Sequence, residues 1–283
     1  MTLATVDFRS GNAARDVTRS FLESGFAAIE NHPVPHRLLQ DLYSSWDEFF
    51  VNGDPADFAT DVESQSGYFS PAQAETAKGS DRQDLKEYFQ YWPGGQLPDQ
   101  TREITLDYYN RLFDLAKIIV TWIHENTPPD LWTYAQQPLA EYLSRAQTMV
   151  RILRYPPLTG CEEPGAIRAG AHEDIDFITL LPTASQSGLE IRPRDAEWQP
   201  VVAPAGAIII NIGDMLQELS GMQLPSTTHR VVNPTGDAAR CARLTAPQFC
   251  HPYPETVLSE RYTAASYLKE RLLEINTSEL RPR

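Results

Sequence analysis

Three cysteines in 283 residues are too few for a disulfide framework. Cys161, Cys241 and Cys250 are odd in number and irregularly spaced, so they read as free thiols in a reducing compartment. The chain has no apolar run long enough to cross a bilayer. Met1 to Ser10 has no basic stretch followed by an apolar block, so no secretory leader is expected and a cytoplasmic location is. Positive charge is also scarce: 24 Lys and Arg stand against 38 Asp and Glu, a net charge of −14. Nucleic acids and anionic membranes are gripped by basic patches, so neither is expected as a partner. The densest basic groupings, Arg192 to Arg194 and Arg240 to Arg243, are diluted by other residues. Internal repeats and low-complexity tracts are missing too. A hydrophobic content of 41% and a charged content of 22% fit a globular protein with a sizeable core.

The first half of the chain carries helical periodicity. Residues 12–24 place Val17, Phe21 and Leu22 at helical spacing and stop at Gly25, a helix-ending glycine. Phe26 to Glu30 reads as a short strand, as does 3–8. Residues 36–50 align Leu38, Leu39, Leu42, Trp46, Phe49 and Phe50 on one stripe. Residues 51–98 read as irregular, rich in Gly, Pro, Asp and Ser with aromatics between them. Residues 101–126 form the longest helical pattern, broken by Pro128 and Pro129, and a further helix is expected over 131–144.

From Thr148 the period changes to short strands: 148–155, 170–181, 188–191, 198–202, 207–211, 226–232 and 243–250, before a last helix over 263–279. The expected fold is therefore mainly β with flanking helices, a sandwich or barrel. A helical N-terminal region, 1–147, packs on a β core with a C-terminal helix, 148–283, as one catalytic unit.

Chemistry concentrates in that second half. On a strand over 170–181, His172 and Asp174 would share a face. His229 lies on another strand-like run 57 residues later. A His-x-Asp pair with one distant His is the ligand set of the two-His-one-carboxylate triad, although a His-x-Asp pattern alone is common. Arg243 and Thr245 also share a strand face and offer a guanidinium fork and a hydroxyl to one carboxylate.

Further segments extend the pattern: Phe26 to His32, Asp84 to Phe89, Leu153-Arg154-Tyr155-Pro156-Pro157, Leu180-Leu181, Gly188 to Glu190, Asn211 to Asp214 and Ser226 to Val231. In this order the chain resembles the isopenicillin N synthase-like family of non-haem Fe(II)/2-oxoglutarate-dependent oxygenases. The resemblance implies a double-stranded β-helix, or distorted jelly roll. It implies Fe(II) on His172, Asp174 and His229, with 2-oxoglutarate as cosubstrate and O2 as oxidant. Arg243 and Thr245 would hold the far carboxylate of 2-oxoglutarate, with Tyr155 as a phenol donor. The family usually has Ser where Thr245 stands, and its plant members have Asn where Leu153 stands.

The implied activity is a dioxygenase that oxidises a C–H bond of a small organic molecule, most simply by hydroxylation, and releases succinate and CO2. An oxidase of the isopenicillin N synthase or aminocyclopropane-carboxylate oxidase type, which does not consume 2-oxoglutarate, is the alternative. A non-catalytic jelly-roll binding protein is the third reading. The carboxylate at Asp174 argues against halogenation, since halogenating relatives have Gly or Ala there. Tyr68, Phe69, Phe89, Phe177, Phe249 and His251 are the candidate substrate walls. Asp176, expected two residues along the same face as Asp174, is the candidate polar contact to substrate. Asp214, after Gly213, is expected to brace the barrel from a turn. The protein is expected to act as a monomer.

Overall fold

In the computed structural model, residues 3–60, 65–76, 82–194 and 196–279 are described. The helices form where apolar residues recur along one side. The first helix, α1 (Ala13–Ser24), follows strand β1 (Thr5–Asp7) and buries Val17 and Phe21. It ends at Gly25, whose φ of 70° suits glycine and whose N–H returns to the Phe21 carbonyl at 2.8 Å. A Cβ at Gly25 would lie 2.1 Å from the Pro225 carbonyl oxygen, so the turn also needs glycine for space. Strand β2 (Phe26–Glu30) leads into α2 (His36–Asn52), which buries Leu39, Leu42, Trp46, Phe49 and Phe50. The long helix α3 (Asp99–Glu125) packs on α2, and the Trp46 indole donates to Thr105 Oγ1 at 2.9 Å across that contact.

Between α2 and α3 lie β3 (Gly67–Phe69) and β4 (Glu87–Tyr91). The expectation of an irregular 51–98 misses both. All five residues of β4 are buried, so it shows no alternation of polar and apolar side chains for a sequence pattern to detect. The helix expected over 131–144 is replaced by short 3-10 turns at Pro129–Trp132 and Leu139–Glu141, because Pro138 interrupts the run.

The second half supplies β5 (Met149–Tyr155), β6 (Ala169–His172), β7 (Ile178–Pro182), β8 (Leu189–Arg192), β9 (Gln199–Pro200) and β10 (Ile208–Ile212). There follow α4 (Asp214–Leu219), β11 (Thr228–Val231), β12 (Arg243–Thr245), β13 (Gln248–Cys250) and α5 (Ala264–Glu279). The run expected over 243–250 is split at Ala246-Pro247, where proline has no N–H for the ladder. Asp214 opens a helix rather than standing in a turn.

Among the described residues the major sheet runs β1-β2-β10-β7-β13-β5-β4-β3, with β12 also paired to β5, and the minor sheet runs β6-β11-β8-β9. Two strands each from before and after α2 are thus part of the major sheet, so the N-terminal region is woven into it. The fold is a double-stranded β-helix flanked by helices. Strand alternation separates two cores. Val150, Ile152, Ile208, Ile210 and Ile212 face the helices. Leu153, Tyr155 and Ile209 face inward, where they meet Leu189, Ile191 and Val231 of the minor sheet. Each fully buried aliphatic or aromatic side chain contributes roughly 1.5–3 kcal/mol. The inner face is where the candidate site lies.

Candidate metal and cosubstrate site

The site is assembled by one antiparallel pairing. His172 on β6 and His229 on β11 are direct register partners, which brings their ring centroids to 4.3 Å. The strand expected over 170–181 stops at His172 and resumes at Ile178. Between them the chain bends, because the Asp174 and Asp176 carbonyls accept the Asp214 and Met215 N–H groups at 2.8 and 3.0 Å. The bend carries the Asp174 carboxylate to the two imidazoles: Oδ1 is 3.8 Å from His172 Nε2 and 3.7 Å from His229 Nε2. One ligand atom from each residue lies within 4.8 Å of the others.

Each donor is held from behind. Both Nδ1 atoms face backbone carbonyls, His172 toward Gly170 at 2.8 Å and His229 toward Thr227 at 3.2 Å. An Nδ1–H there leaves the Nε2 lone pair facing Asp174 Oδ1, the tautomer a metal needs. Asp174 Oδ2 accepts from Thr179 Oγ1 at 2.6 Å and Asn211 Nδ2 at 2.8 Å, which leaves Oδ1 toward the imidazoles. Burial raises the Asp174 pKa, but His229, His172 and these hydrogen bonds outweigh it and hold the carboxyl below its ordinary value. Burial and the neighbouring His172 lower the His229 pKa. The His172 side chain is 43% exposed, whereas Asp174 and His229 are buried, so the site opens on the His172 side.

Below the triad, Arg243 and Tyr155 are register partners across β12 and β5. The Arg243 guanidinium lies 5.2 Å from the Tyr155 ring, and its Nε donates to the Gln186 carbonyl at 3.0 Å. Arg243 is buried, yet its Nη1 has no hydrogen-bond partner, and neither has Thr245 Oγ1. Unsatisfied buried donors are costly, and these two residues share one face of β12. A carboxylate satisfies both, so the residues fit 2-oxoglutarate. Two imidazoles and one carboxylate on one side likewise fit Fe(II) with open positions opposite.

The expected substrate residues divide. Phe69 stacks on Tyr88 at 4.5 Å and belongs to the inner cluster, while Phe249 lies 5.6 Å from the Arg151 guanidinium on the same side. His251 is next to the site, and burial pushes its pKa down to about 4. Three aromatics expected as walls stand elsewhere. Phe89 and Phe177 are fully buried in the outer core. Tyr68 shares the Phe89 side of the β3–β4 ladder and donates to Glu87 at 2.7 Å. Alternation puts Tyr88, not Phe89, inside. Asp176 also differs from expectation: it is fully buried, because the bend at 173–177 removes the strand alternation that placed it in the channel. A Cβ on Gly213 would lie 2.1 Å from Asp176 Oδ1. The Thr179 hydroxyl faces Asp174 Oδ2 at 2.6 Å and Asp176 Oδ2 at 3.0 Å, so the two carboxyls crowd one hydroxyl. Burial and the Asp174 charge accordingly hold the Asp176 carboxyl well above the usual range.

Several neighbours were not expected. Asn211 is the one polar residue of β10 and shares the inward face of Ile209, a signal the alternation carries. Arg151, two and four residues before Leu153 and Tyr155, is inward by the same rule. Its guanidinium lies 4.6 Å from the Tyr88 ring, and it donates to Glu75 at 3.0 Å and Gln90 at 2.8 Å. Lys86 joins Glu75 at 2.8 Å and Asp84 at 2.9 Å. Burial opposes ionisation of Glu75, but Arg151 and Lys86 prevail and keep it a carboxylate. No periodicity marks Glu75, which arrives from a loop.

Asp214 provides a pH handle. Burial raises its pKa to about 6, with Glu173 and Asp174 adding to the effect. A raised carboxyl pKa favours the fold below the unfolded value and loses that contribution as pH rises through about 6. Asp214→Asn is therefore expected to gain stability over wild type between pH 4 and pH 7, by about 1–2 kcal/mol after solvent screening. Thermal melts at both pH values measure it; a constant difference between the proteins refutes the expectation.

A double-stranded β-helix with two histidines and one carboxylate on a single side defines the mononuclear non-haem iron class. A family profile, the 2OG-Fe(II) oxygenase superfamily, matches residues 147–252. The crystal structure of a candidate oxygenase from Shewanella oneidensis is similar at 42% identity and a TM-score of 0.87, over 98% of this chain and 99% of that one. A Caulobacter crescentus protein assigned to the 2OG-Fe(II) oxygenase family is similar at 27% identity and a TM-score of 0.79, covering 96% and 99%. Scopoletin 8-hydroxylase of Arabidopsis thaliana is 28% identical over 87% of this chain and 71% of its own length. The chain belongs to the 2OG-Fe(II) oxygenase superfamily. It is an oxygenase dependent on Fe(II) and 2-oxoglutarate, and neither the 2-oxoglutarate-independent oxidase nor the non-catalytic alternative is favoured. Among the described residues no helix is long and apolar enough to cross a membrane.

Proposed function

We propose that His172, Asp174 and His229 hold the iron, that Arg243 and Thr245 hold the far carboxylate of 2-oxoglutarate, and that the enzyme hydroxylates a C–H bond of a small organic molecule. The observation that carries this reading is the pair of buried, unpartnered donors on β12, Arg243 Nη1 and Thr245 Oγ1. When bound, iron and 2-oxoglutarate supply the oxidising power that places one atom of O2 in the product and the other in succinate, with loss of CO2. The chain supplies placement. Asn211 and Thr179 fix the Asp174 carboxylate, and the Gly170 and Thr227 carbonyls fix the imidazoles. The Arg243 fork and Thr245 hydroxyl orient the cosubstrate. Tyr155 is the phenol beside it. Phe69, Phe249 and His251 at the inner wall exclude water and position the C–H bond. Residues 1–147 and 148–283 act together as one catalytic unit.

A panel of small organic molecules, screened for stimulated succinate release, identifies a substrate. Turnover under 18O2 is then expected to put one heavy oxygen in the product. A product two hydrogens lighter with no added oxygen overturns the hydroxylase reading in favour of desaturation or ring closure.

A further inference from the structure

A second arginine lies beside the first and is used by nothing described so far. Arg168 immediately precedes β6, and it is placed beside the inner face by its contacts, since the β6–β11 register shifts between Ala169 and His172. Its side chain is fully buried. It makes one well-formed hydrogen bond, from Nη2 to the Cys241 carbonyl at 3.1 Å, and one at the limit, from Nη1 to Gln186 Oε1 at 3.5 Å. Its Nε has no partner. The Tyr155 ring lies 5.9 Å from this guanidinium and 5.2 Å from that of Arg243, and Gln186 receives a hydrogen bond from each arginine.

Two buried guanidinium groups thus lie near one tyrosine, and the hydrogen bonds of both go to Gln186 and the Cys241 carbonyl rather than to a carboxylate. Burying one unpaired cation is expensive, and a second beside it adds repulsion. Burial and the neighbouring Arg243 both push the Arg168 pKa down. Such a pair is relieved by a bound anion. A cosubstrate with a single distal negative charge meets both fields at once.

We propose that Arg168 is a second cationic determinant of the 2-oxoglutarate pocket, which selects 2-oxo acids bearing a distal carboxylate. This rests on the placement of 2-oxoglutarate against Arg243 and Thr245. Arg168 acts as a specificity-determining residue: it sits beside Tyr155 and its charge is the feature that matters, with its reach secondary.

The test is calorimetric binding to the full-length, Mn(II)-loaded protein, with 2-oxoglutarate and with 2-oxopentanoate, which has the same carbon chain and no distal carboxylate. Arg168→Met is expected to weaken 2-oxoglutarate by about tenfold, the worth of one charge-assisted contact, and to leave 2-oxopentanoate within about twofold. Arg168→Lys keeps the charge and is expected to lose less, again for 2-oxoglutarate alone. Unchanged 2-oxoglutarate binding in Arg168→Met, or parallel loss of both acids, overturns the proposal. Should Arg168→Met not fold, Arg168→Lys decides by the same criteria. Arg243→Met separates the two readings. If it keeps 2-oxoglutarate binding, the pocket itself is misplaced; if it loses binding while Arg168→Met does not, only the role of Arg168 fails.

Discussion

Asp174→Ala is expected to abolish both iron retention and 2-oxoglutarate turnover. The reason lies in the geometry of one oxygen. Asp174 Oδ1 is the atom 3.8 and 3.7 Å from the two imidazole nitrogens, and it completes the set. Without it two neutral imidazoles remain, with no negative charge to bind a hard divalent ion. Removing a ligand costs at least as much as losing a supporting partner, which is about 10–100-fold in metal affinity or activity. Iron content after gel filtration and succinate release are the readouts. The fold is expected to survive, because a buried carboxylate and its desolvation cost leave together. The two histidines are expected to differ in a second readout. His229 is buried against Phe26 at 5.6 Å, so His229→Ala lowers the melting temperature as well. His172 is 43% exposed, so His172→Ala costs iron with little stability. Stoichiometric iron and near-normal turnover in Asp174→Ala sink the ligand assignment.

Arg243→Met is expected to have opposite effects on the empty and the loaded protein. In the absence of 2-oxoglutarate the variant is expected to melt at the same or a higher temperature, by about 1–2 kcal/mol, since an unpaired buried charge is replaced by apolar volume. With 2-oxoglutarate present, wild type gains stability by mass action and the variant does not. The loss of a guanidinium that bonds a carboxylate raises KM for 2-oxoglutarate by about a hundredfold, the value of a paired charge-assisted contact. Turnover at saturating cosubstrate falls less. A variant that is both less stable when empty and undiminished in its response to 2-oxoglutarate contradicts the assignment.

Much of this site was legible before the fold. His172, Asp174 and His229 could be proposed as a set, and Arg243 with Thr245 as a carboxylate anchor, because residue chemistry and spacing along short strands are local properties. The helices were legible for the same reason: the stripes of α1, α2 and α3 repeat at helical period, and Gly25 marks a sharp stop. The misses have a common origin. Phe89 and Tyr88 are equally aromatic and equally buried, and only the pairing of β4 with β5 decides which faces the site. Asp176 looked like a pocket residue because strand alternation was carried through a stretch where α4 takes the backbone carbonyls. Glu75 reaches Arg151, and Lys86 reaches Glu75, from a segment whose sequence has no period.

The sequence by itself therefore determined the candidate ligand set, the strand and helix tendencies and the family. Those follow from side-chain chemistry and from periods of two and 3.6 residues, which need no knowledge of distant segments. The tertiary structure alone decided which oxygen of Asp174 faces the imidazoles, which aromatics face inward, and that Arg168 and Arg243 lie near one tyrosine. These depend on register and on bends set by hydrogen bonds between segments far apart in the chain, and a one-residue change in register reverses every face.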